Sequence, residues 1–341
     1  MLNPKLKLNP KIFNPDCEQA PIRKGFGEGL VLAGQADKNI VALCADLTES
    51  TQMNFFKEKF PERFVEVGVA EQNLVTVASG MAAMGKIPFC SSYAMFSPGR
   101  NWEQIRTTIA YNDRKVVVVG SHAGISVGPD GGTHQALEDI ALMRVIPNME
   151  VFSPCDSIEA KKLTLAIAKG GQRGKPAYLR LAREKTPIIT TEETPMQIGK
   201  AEIYFLPEVG LAEVGIIATG GLLHRALLAA KELESEGIKI KVMNLATIKP
   251  IDVKAIVALA KECKAIVTVE EHQVAGGMGS AVAEVLAEHF PVPIEFIGVK
   301  DKFGQSGTPA ELVEHYGMGK DAVKDGVRTC LRRREALKRK I

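Results

Sequence analysis

The feature that most constrains the fold is an alternation of short, mostly apolar runs with longer stretches of helical periodicity. The runs recur between Arg23 and Arg183, at residues 39–44, 63–67, 87–92, 115–120, 149–154 and 176–182. Runs that are apolar on both faces are typical of parallel strands, because the crossover helices cover both sides of the sheet. The pattern therefore predicts an α/β domain with a mostly parallel sheet flanked by helices.

A change in composition marks the end of this first unit. Residues 184–200 lose the apolar period and gain proline and threonine, as an interdomain connection does. A second α/β series follows, with strands expected at 214–221, 238–245, 264–270 and 292–299 and helices beginning near Leu222, Asp252 and Met278. We therefore expect two α/β domains, at 21–190 and 200–341, each with a mostly parallel sheet.

Residues 1–20 follow neither pattern. Prolines at positions 4, 10 and 15 interrupt any helix there. We interpret this segment as an extended N-terminal arm, and we expect it to become ordered against a partner.

The overall charge and the cysteines exclude several classes of protein. The 43 basic and 40 acidic residues give a net charge of +3, too small to indicate a nucleic-acid or membrane surface. The locally basic end, residues 330–341, is interpreted as a solvated last helix. Six scattered cysteines without a C-x-x-C pair predict neither disulfides nor a zinc site. With no signal peptide or membrane span in the sequence, we expect a cytoplasmic protein.

Glu71 lies where a predicted strand meets an apolar helix, in the stretch "RFVEVGVAEQNLVTVASGMAAMG". An acid in the first turn of a helix can simply favour the helix dipole. The helix after Glu71, however, is small and apolar on nearly every face, which predicts burial of the carboxyl group. Because burial raises the pKa of a glutamate, we expect Glu71 to keep its proton and to donate a hydrogen bond.

A polar cluster follows the predicted strand at 115–120. His122, Asp130 and His134 lie in the glycine-rich segment "GSHAGISVGPDGGTHQ". A metal site and a purely structural loop are both alternatives, although the spacing lacks the close ligand pair of zinc sites. Three titratable groups in one loop at a strand end favour an active site.

A second glycine-rich stretch, "VAGGMGSAVAEVL", precedes the helix near Met278. Glycines before a helix N-terminus can bind a phosphate. The complete dinucleotide and P-loop patterns are absent, so we favour a tight strand-to-helix turn.

Two of these segments, "VGVAEQN" and "SHAGISVGPDGGTHQALEDIALMR", resemble the pyrimidine-binding domain of transketolases. The stretches "IKPID" and "VTVEEH" with "GGMGS" resemble the C-terminal domain of that family. The resemblance covers only the second half of a full-length transketolase, and the G-D-G motif of the first half does not occur in these 341 residues. The chain thus resembles the C-terminal subunit of a split transketolase. The resemblance implies a separate N-terminal subunit that holds Mg²⁺ and the diphosphate of thiamine diphosphate, and no metal ligand in this chain.

The resemblance also implies how this chain would bind the cofactor. The glutamate matching Glu71 hydrogen-bonds N1' of the aminopyrimidine, and Tyr93 and Phe96 form the aromatic pocket for that ring. Asp46 and Leu47 approach the cofactor, while Ser50 approaches the phosphate of the substrate. From the residues alone, aromatic side chains at a strand end belong equally well to a core.

For the substrate, the resemblance implies that His122, Asp130 and His134 hold sugar hydroxyls and that the two histidines move protons. Arg23 and Arg183 match the pair that grips the terminal phosphate, and Arg180 could be mistaken for Arg183 if the register slips. Trp102 is interpreted as an interface or core residue, and Arg100 has no expected role.

We therefore predict a transketolase subunit that transfers a two-carbon ketol unit from a ketose phosphate to an aldose phosphate. Two copies of each chain are expected, with the second domain of this chain serving dimer stability. The alternatives are half of a 1-deoxyxylulose-5-phosphate synthase, the β subunit of a 2-oxo acid dehydrogenase, and a non-catalytic paralogue. His122 and the arginine pair argue against the dehydrogenase, because simple 2-oxo acids need no phosphate grip.

Overall fold

A computed structural model describes residues 1–171 and 174–338. All ten strands expected from the sequence are present, and four short strands are added to them. The strands are β1 Gln19–Pro21, β2 Ile40–Cys44, β3 Phe64–Glu66, β4 Ile87–Tyr93, β5 Val117–Ala123, β6 Glu150–Phe152, β7 Ala177–Ala182, β8 Lys185–Pro187, β9 Glu202–Phe205, β10 Val214–Ala218, β11 Ile240–Asn244, β12 Thr247–Lys249, β13 Ile266–Gln273 and β14 Ile294–Val299.

The helices fall between the strands, as the alternation predicted. They are α1 Ile22–Ala36, α2 Asn54–Lys59, α3 Glu71–Ala83, α4 Trp102–Gln104, α5 Asp139–Arg144, α6 Ser157–Ala168, α7 Leu223–Ser235, α8 Val253–Cys263, α9 Met278–His289, α10 Pro309–His315 and α11 Lys320–Lys338. The last three residues of the basic end lie outside the described part. Within the described ranges, no helix combines the length and apolarity needed to cross a membrane.

The first sheet has seven strands in the order β12-β6-β7-β5-β4-β2-β3. All pair in parallel except β12, an antiparallel edge strand from the second half of the chain. Every residue of β2, β5 and β7 is buried, as expected for strands covered on both faces.

The second sheet has five strands in the order β14-β13-β10-β11-β9, with only β9 antiparallel. One apolar cluster joins the two sheets, since Val118 of β5 and Ile217 of β10 both belong to it. The structure therefore confirms two α/β units with mostly parallel sheets flanked by helices.

Helices α1 and α6 lie together on one face of the first sheet, and glycines set their separation. A Cβ atom on Gly25 would lie 1.7 Å from the carbonyl oxygen of Ser157. On Gly29 it would lie 3.0 Å from the carbonyl oxygen of Lys161. The close approach fixes the start of α1, where Arg23 lies, against the start of α6.

The N-terminal arm packs against this chain itself, which contradicts the expectation that it orders against a partner. Leu6 and Ile12 are buried in the core of the second domain, and Leu2 forms a β-bridge with Phe205. The backbone N–H of Asn9 donates to the carbonyl of Ile189 at 2.9 Å. The arm is also not extended throughout, since residues Pro4–Leu6 form a short 3-10 helix and residues 10–16 form turns. Its spaced apolar side chains anchor it to the second domain.

Candidate active site

The candidate site lies at the carboxyl ends of β2, β4, β5 and β7, where open α/β sheets bind their ligands. Glu71 is the first residue of α3 and is only 4% exposed. Its backbone carbonyl accepts a hydrogen bond of 2.8 Å from Nδ2 of the buried Asn101. The burial predicted for Glu71 is thus present, and the residue lines an open cleft together with Phe96 and Arg100.

Arg100 is the neighbour of Glu71 that the sequence did not reveal. Its Nε lies 3.7 Å from Oε2 of Glu71, and its side chain is 66% exposed. A cation on the rim places positive charge at the mouth of the cleft. Its position four residues after Phe96 was the available signal, but nothing in the sequence alone ties this segment to the start of α3.

Two aromatic rings separate the Glu71 cleft from the histidines. Tyr93 ends β4 and stacks at 6.1 Å and 13° on Phe96, which also lines the cleft. Tyr93 also stacks on His122, with 3.9 Å between ring centroids. His134 meets Phe96 edge-on at 5.4 Å. The aromatic pair expected at the strand end thus contacts both histidines.

We call residues 122–135 the histidine loop. Its ends are joined by a bridge between Ala123 and Ala136, and the N–H of Gly124 donates to the Ala136 carbonyl at 2.9 Å. This closure brings His122 and His134, twelve positions apart, to the same aromatic pair. Asp130 lies between them in the same loop, at the end of a 3-10 helix over Ile125–Asp130, and is exposed.

His122 is buried, with 3% of its surface exposed. Burial, then the positive charges of Arg23 and Arg183, lowers the pKa of His122 from 6.5 to about 3. Its Nδ1 is 2.9 Å from Oγ of Ser121. The imidazole is therefore neutral at physiological pH, which suits a group that exchanges protons with hydroxyls.

The two arginines predicted to act together do lie together. Nη1 of Arg23, at the start of α1, donates to the carbonyl of Arg183, just after β7. Nη1 of Arg183 donates to the carbonyl of Val127 in the histidine loop at 2.8 Å. Burial and then the charge of Arg183 lower the pKa of Arg23, and its buried Nε has no partner. Two neighbouring cations with an unused donor fit a tetrahedral anion.

Arg180, the residue that could be mistaken for Arg183, has a different position. It is buried, and its Nε donates to Oδ2 of Asp139 at 2.8 Å. Tyr178 donates to the same oxygen at 2.8 Å. Arg180 also donates to the carbonyl of Glu271 in the second domain at 2.8 Å. It therefore belongs to a buried interdomain network.

The loop after β2 carries Asp46, Leu47 and Ser50, and Glu66 at the end of β3 holds it in place. The Glu66 carboxylate accepts from the N–H of Asp46 at 2.7 Å and from the hydroxyl of Thr48 at 3.0 Å. It also accepts from the N–H of Gly68 at 2.9 Å, three residues before Glu71. Glu66 thus joins the loop to the segment before α3, a role that the strand pattern did not reveal.

The remaining sequence features are structural. Nε1 of the half-buried Trp102 donates to the carbonyl of Leu142 at 2.9 Å. The glycine-rich stretch before α9 is the tight turn that we favoured. The buried Glu270 carboxylate accepts from the N–H groups of Met278 and Gly279 at 2.6 and 2.8 Å, so it occupies the N-terminus of that helix.

The site can therefore hold a flat heteroaromatic ring beside Phe96, with the buried Glu71 carboxyl available to one of its ring nitrogens. It can also hold a hydroxylated, anionic substrate between the histidines and the arginines. Within residues 1–171 and 174–338, His, Cys, Asp and Glu form no group of three or more that could hold a metal ion.

Comparisons with known proteins agree with this geometry. Residues 18–188 match the transketolase pyrimidine-binding domain, and residues 208–323 match the transketolase C-terminal domain. The chain is 44% identical, over 89% of its length and 93% of the relative, to a putative transketolase C-terminal section from Methanocaldococcus jannaschii. It is 40% identical, over 90% of its length and 93% of the relative, to a 6-deoxy-6-sulfo-D-fructose transketolase subunit from Clostridium sp..

Among solved structures, a split-gene transketolase described as an inactive β4 tetramer is similar to this chain, with a TM-score of 0.84. It is 42% identical, and the match covers 92% of this chain and 99% of that one. The two domain matches together span most of the sequence, and they place Glu71 and the histidine loop inside the pyrimidine-binding domain. The chain belongs to the transketolase family.

Proposed function

We propose that this chain is the C-terminal subunit of a two-chain transketolase that moves a two-carbon ketol unit from a ketose phosphate to an aldose phosphate. One observation carries the proposal: a continuous series of contacts joins the Glu71 cleft, through Phe96 and Tyr93, to the two histidines. The arginine pair lies next in this series, since the positive charges of Arg23 and Arg183 lower the pKa of His122.

The transketolase family depends on thiamine diphosphate, and the residues of this chain fit the aminopyrimidine half of that cofactor. When bound, thiamine diphosphate supplies a nucleophilic carbon and an electron sink. Glu71 would hydrogen-bond the ring nitrogen N1' from its buried position in the cleft. Tyr93 and Phe96 would contact the ring, with Asp46 and Leu47 beside it.

The substrate would lie between the histidines and the arginines. A neutral His122 can accept a proton from a sugar hydroxyl and return it, and His134 faces the same space. Arg23 and Arg183 would bind the terminal phosphate. Its negative charge would offset the repulsion between the two guanidinium groups. We assign Ser50 to the phosphate and Asp130 to a sugar hydroxyl.

We assign Mg²⁺ and the diphosphate of the cofactor to an N-terminal partner subunit, with two copies of each chain in the complex. The names of the relatives support this division. One is a C-terminal section, another is a subunit, and the split-gene structure is an inactive tetramer of β chains. All six cysteines are buried and unpaired, which is typical of a reducing compartment, and we propose a cytoplasmic enzyme.

A second candidate concerns the anionic group of the sugar. The Clostridium relative is named for a sugar that bears a sulfonate. A guanidinium pair binds any tetrahedral oxyanion, so the Arg23–Arg183 pair suits a sulfosugar as well as a sugar phosphate. The same site would then perform the same transfer on a different donor.

The test combines this chain with a partner that carries the G-D-G motif. Ketol transfer from xylulose 5-phosphate, and from 6-deoxy-6-sulfo-D-fructose, to an aldose phosphate is measured with Mg²⁺ and thiamine diphosphate. We expect turnover only with both chains, and a loss of about 100-fold or more in Glu71→Gln, the range for a proton-transfer group. The exposed Glu58→Gln on α2 is the control and should retain activity. Turnover by this chain alone, or full activity in Glu71→Gln, would contradict the proposal.

A further inference from the structure

The second domain holds the histidine loop near its first end. Glu271 of β13 is 6% exposed, and its Oε1 accepts a hydrogen bond of 2.5 Å from the N–H of Ser126. The carboxylate lies so close to the loop that a Cβ atom on Gly124 would be 2.4 Å from the same oxygen. Gly124 also has a φ of +91°, which favours glycine. One side chain of the second domain thus fixes the backbone just after His122.

A second contact holds the other end of the loop. Gln135 is 3% exposed and follows His134 directly. Its Nε2 donates to the loop carbonyls of Ile125 at 3.1 Å and Gly128 at 3.3 Å. The same nitrogen donates to the carbonyl of Gln305, in the second domain, at 3.0 Å. Gln135 therefore ties the loop to itself and to the other domain.

The segment 304–309, which we call the cover segment, lies directly on the loop glycines. A Cβ atom on Gly132 would lie 2.7 Å from the carbonyl oxygen of Gly304, and one on Gly131 would lie 2.6 Å from Oγ of Ser306. A Cβ atom on Gly304 would lie 1.7 Å from Oε1 of Gln135. Gly132 therefore meets the backbone of the cover segment directly, while Gly131 and Gly304 face side chains of the opposite segment.

These contacts determine where the side chains proposed to bind the sugar phosphate lie. The loop carries a histidine at each end, and its Val127 carbonyl accepts from Arg183. A displacement of the loop would therefore move both histidines and one arginine together. Small displacements matter because substrate-holding groups act only within narrow geometric limits.

We propose that Glu271 and the Gln135–cover segment contact position the histidine loop for substrate recognition. On this proposal, the second domain determines the geometry of the sugar site, in addition to any role in subunit assembly. This inference rests on the proposed function for its kinetic consequence, but the loop geometry can be tested without it. Glu271 and Gln135 are positioning residues, since they act through the loop.

The first experiment measures hydrogen–deuterium exchange of residues 124–135 in the full chain without a partner. Glu271→Gln keeps an acceptor oxygen on a side chain of nearly the same shape, so it can still accept from the N–H of Ser126. We expect exchange in this loop to accelerate about tenfold in Glu271→Ala and Gln135→Met, from the loss of buried hydrogen bonds. Glu271→Gln should remain close to the wild type. Unchanged exchange in both Glu271→Ala and Gln135→Met would overturn the proposal whether or not the chain is a transketolase.

The second experiment measures kinetics with the partner subunit present. Glu271→Ala and Gln135→Met should raise KM for the sugar phosphate by about tenfold, with a smaller change in kcat. The affinity for thiamine diphosphate should stay within about twofold, because the Glu71 cleft does not contain the loop. Gly326→Ala, which meets only the flexible side chains of Ile297 and Glu295, controls for general perturbation of the second domain. Equal losses of cofactor and sugar binding would indicate a purely structural role and would refute the inference. An inactive wild-type complex would instead refute the proposed function and leave the exchange result valid.

Discussion

The burial of His122 predicts that the chain loses stability in mild acid. The pKa of this imidazole is lowered from 6.5 to about 3, mainly by burial and then by Arg23 and Arg183. Tyr93 and His134 lie beside it, and no carboxylate is among the causes of the shift. Between about pH 3 and pH 6.5 the folded state therefore binds fewer protons than the unfolded state. Stability is lost as the pH falls below 6.5.

The size of the effect follows from the two pKa values. Lowering the pH from 7 to 5 should cost about 2 kcal/mol of unfolding free energy through His122 alone. The full loss, reached only below about pH 3, is about 5 kcal/mol. The buried His272, whose pKa is lowered to about 4, acts in the same direction. Its contribution is common to the wild type and to any His122 variant, so the difference between them isolates His122.

The assay is urea unfolding of the isolated chain at pH 7 and pH 5, for the wild type and His122→Gln. Because glutamine does not titrate, the variant should lose about 2 kcal/mol less than the wild type between the two pH values. His289→Gln, at an exposed helix end, should behave as the wild type does. An equal loss in the wild type and His122→Gln would show that His122 accepts a proton in the folded chain, and the argument for a neutral imidazole would fail.

Two further predictions concern the arginine pair and the helix contact. Arg23→Gln should lower kcat/KM for sugar phosphates by roughly 10- to 100-fold, the value of a charge-assisted hydrogen bond. The kcat/KM for unphosphorylated sugars should stay unchanged in this variant. Equal losses of kcat/KM with phosphorylated and unphosphorylated sugars would contradict a role of Arg23 in phosphate binding. Gly25→Ala should destabilise the chain by about 1–3 kcal/mol in urea unfolding, because its Cβ would lie 1.7 Å from the Ser157 carbonyl oxygen. Gly80→Ala, in a helix with open space around it, should instead stabilise by about 1 kcal/mol, and equal effects would refute the steric argument.

The main elements of the fold were predictable because their determinants are local. Runs such as 115–120 are apolar on both faces, and only a strand covered on both sides satisfies that pattern. Asp252 caps α8 at the helix start that the sequence predicted, and Asp156 caps α6 in the same way. The short strands β1, β8, β9 and β12 were not predicted, because pairing with a neighbour, rather than their own composition, makes them strands.

The candidate site was predictable to the extent that its residues stand in motifs. The sequence predicted the burial of Glu71, and the resemblance predicted the pairing of Arg23 with Arg183. It did not lead to Arg100 or Glu66, whose partners lie 29 and 20 residues away. It also misjudged the N-terminal arm, because the surface that receives Leu6 and Ile12 is formed almost 200 residues later.

The glycines of the histidine loop show that a sequence motif does not by itself reveal the contacts that require it. Read within the loop, Gly131 and Gly132 indicate only a turn. In the structure, a Cβ atom on Gly132 would lie 2.7 Å from the carbonyl oxygen of Gly304 in the cover segment, so the reason for this glycine lies about 170 residues away. The first domain supplies the titratable groups, while the second domain limits the shapes that the loop carrying them can take. It follows that substitutions in the second domain that spare its core, such as Gly304→Ala, should alter sugar recognition without touching any group that binds the sugar.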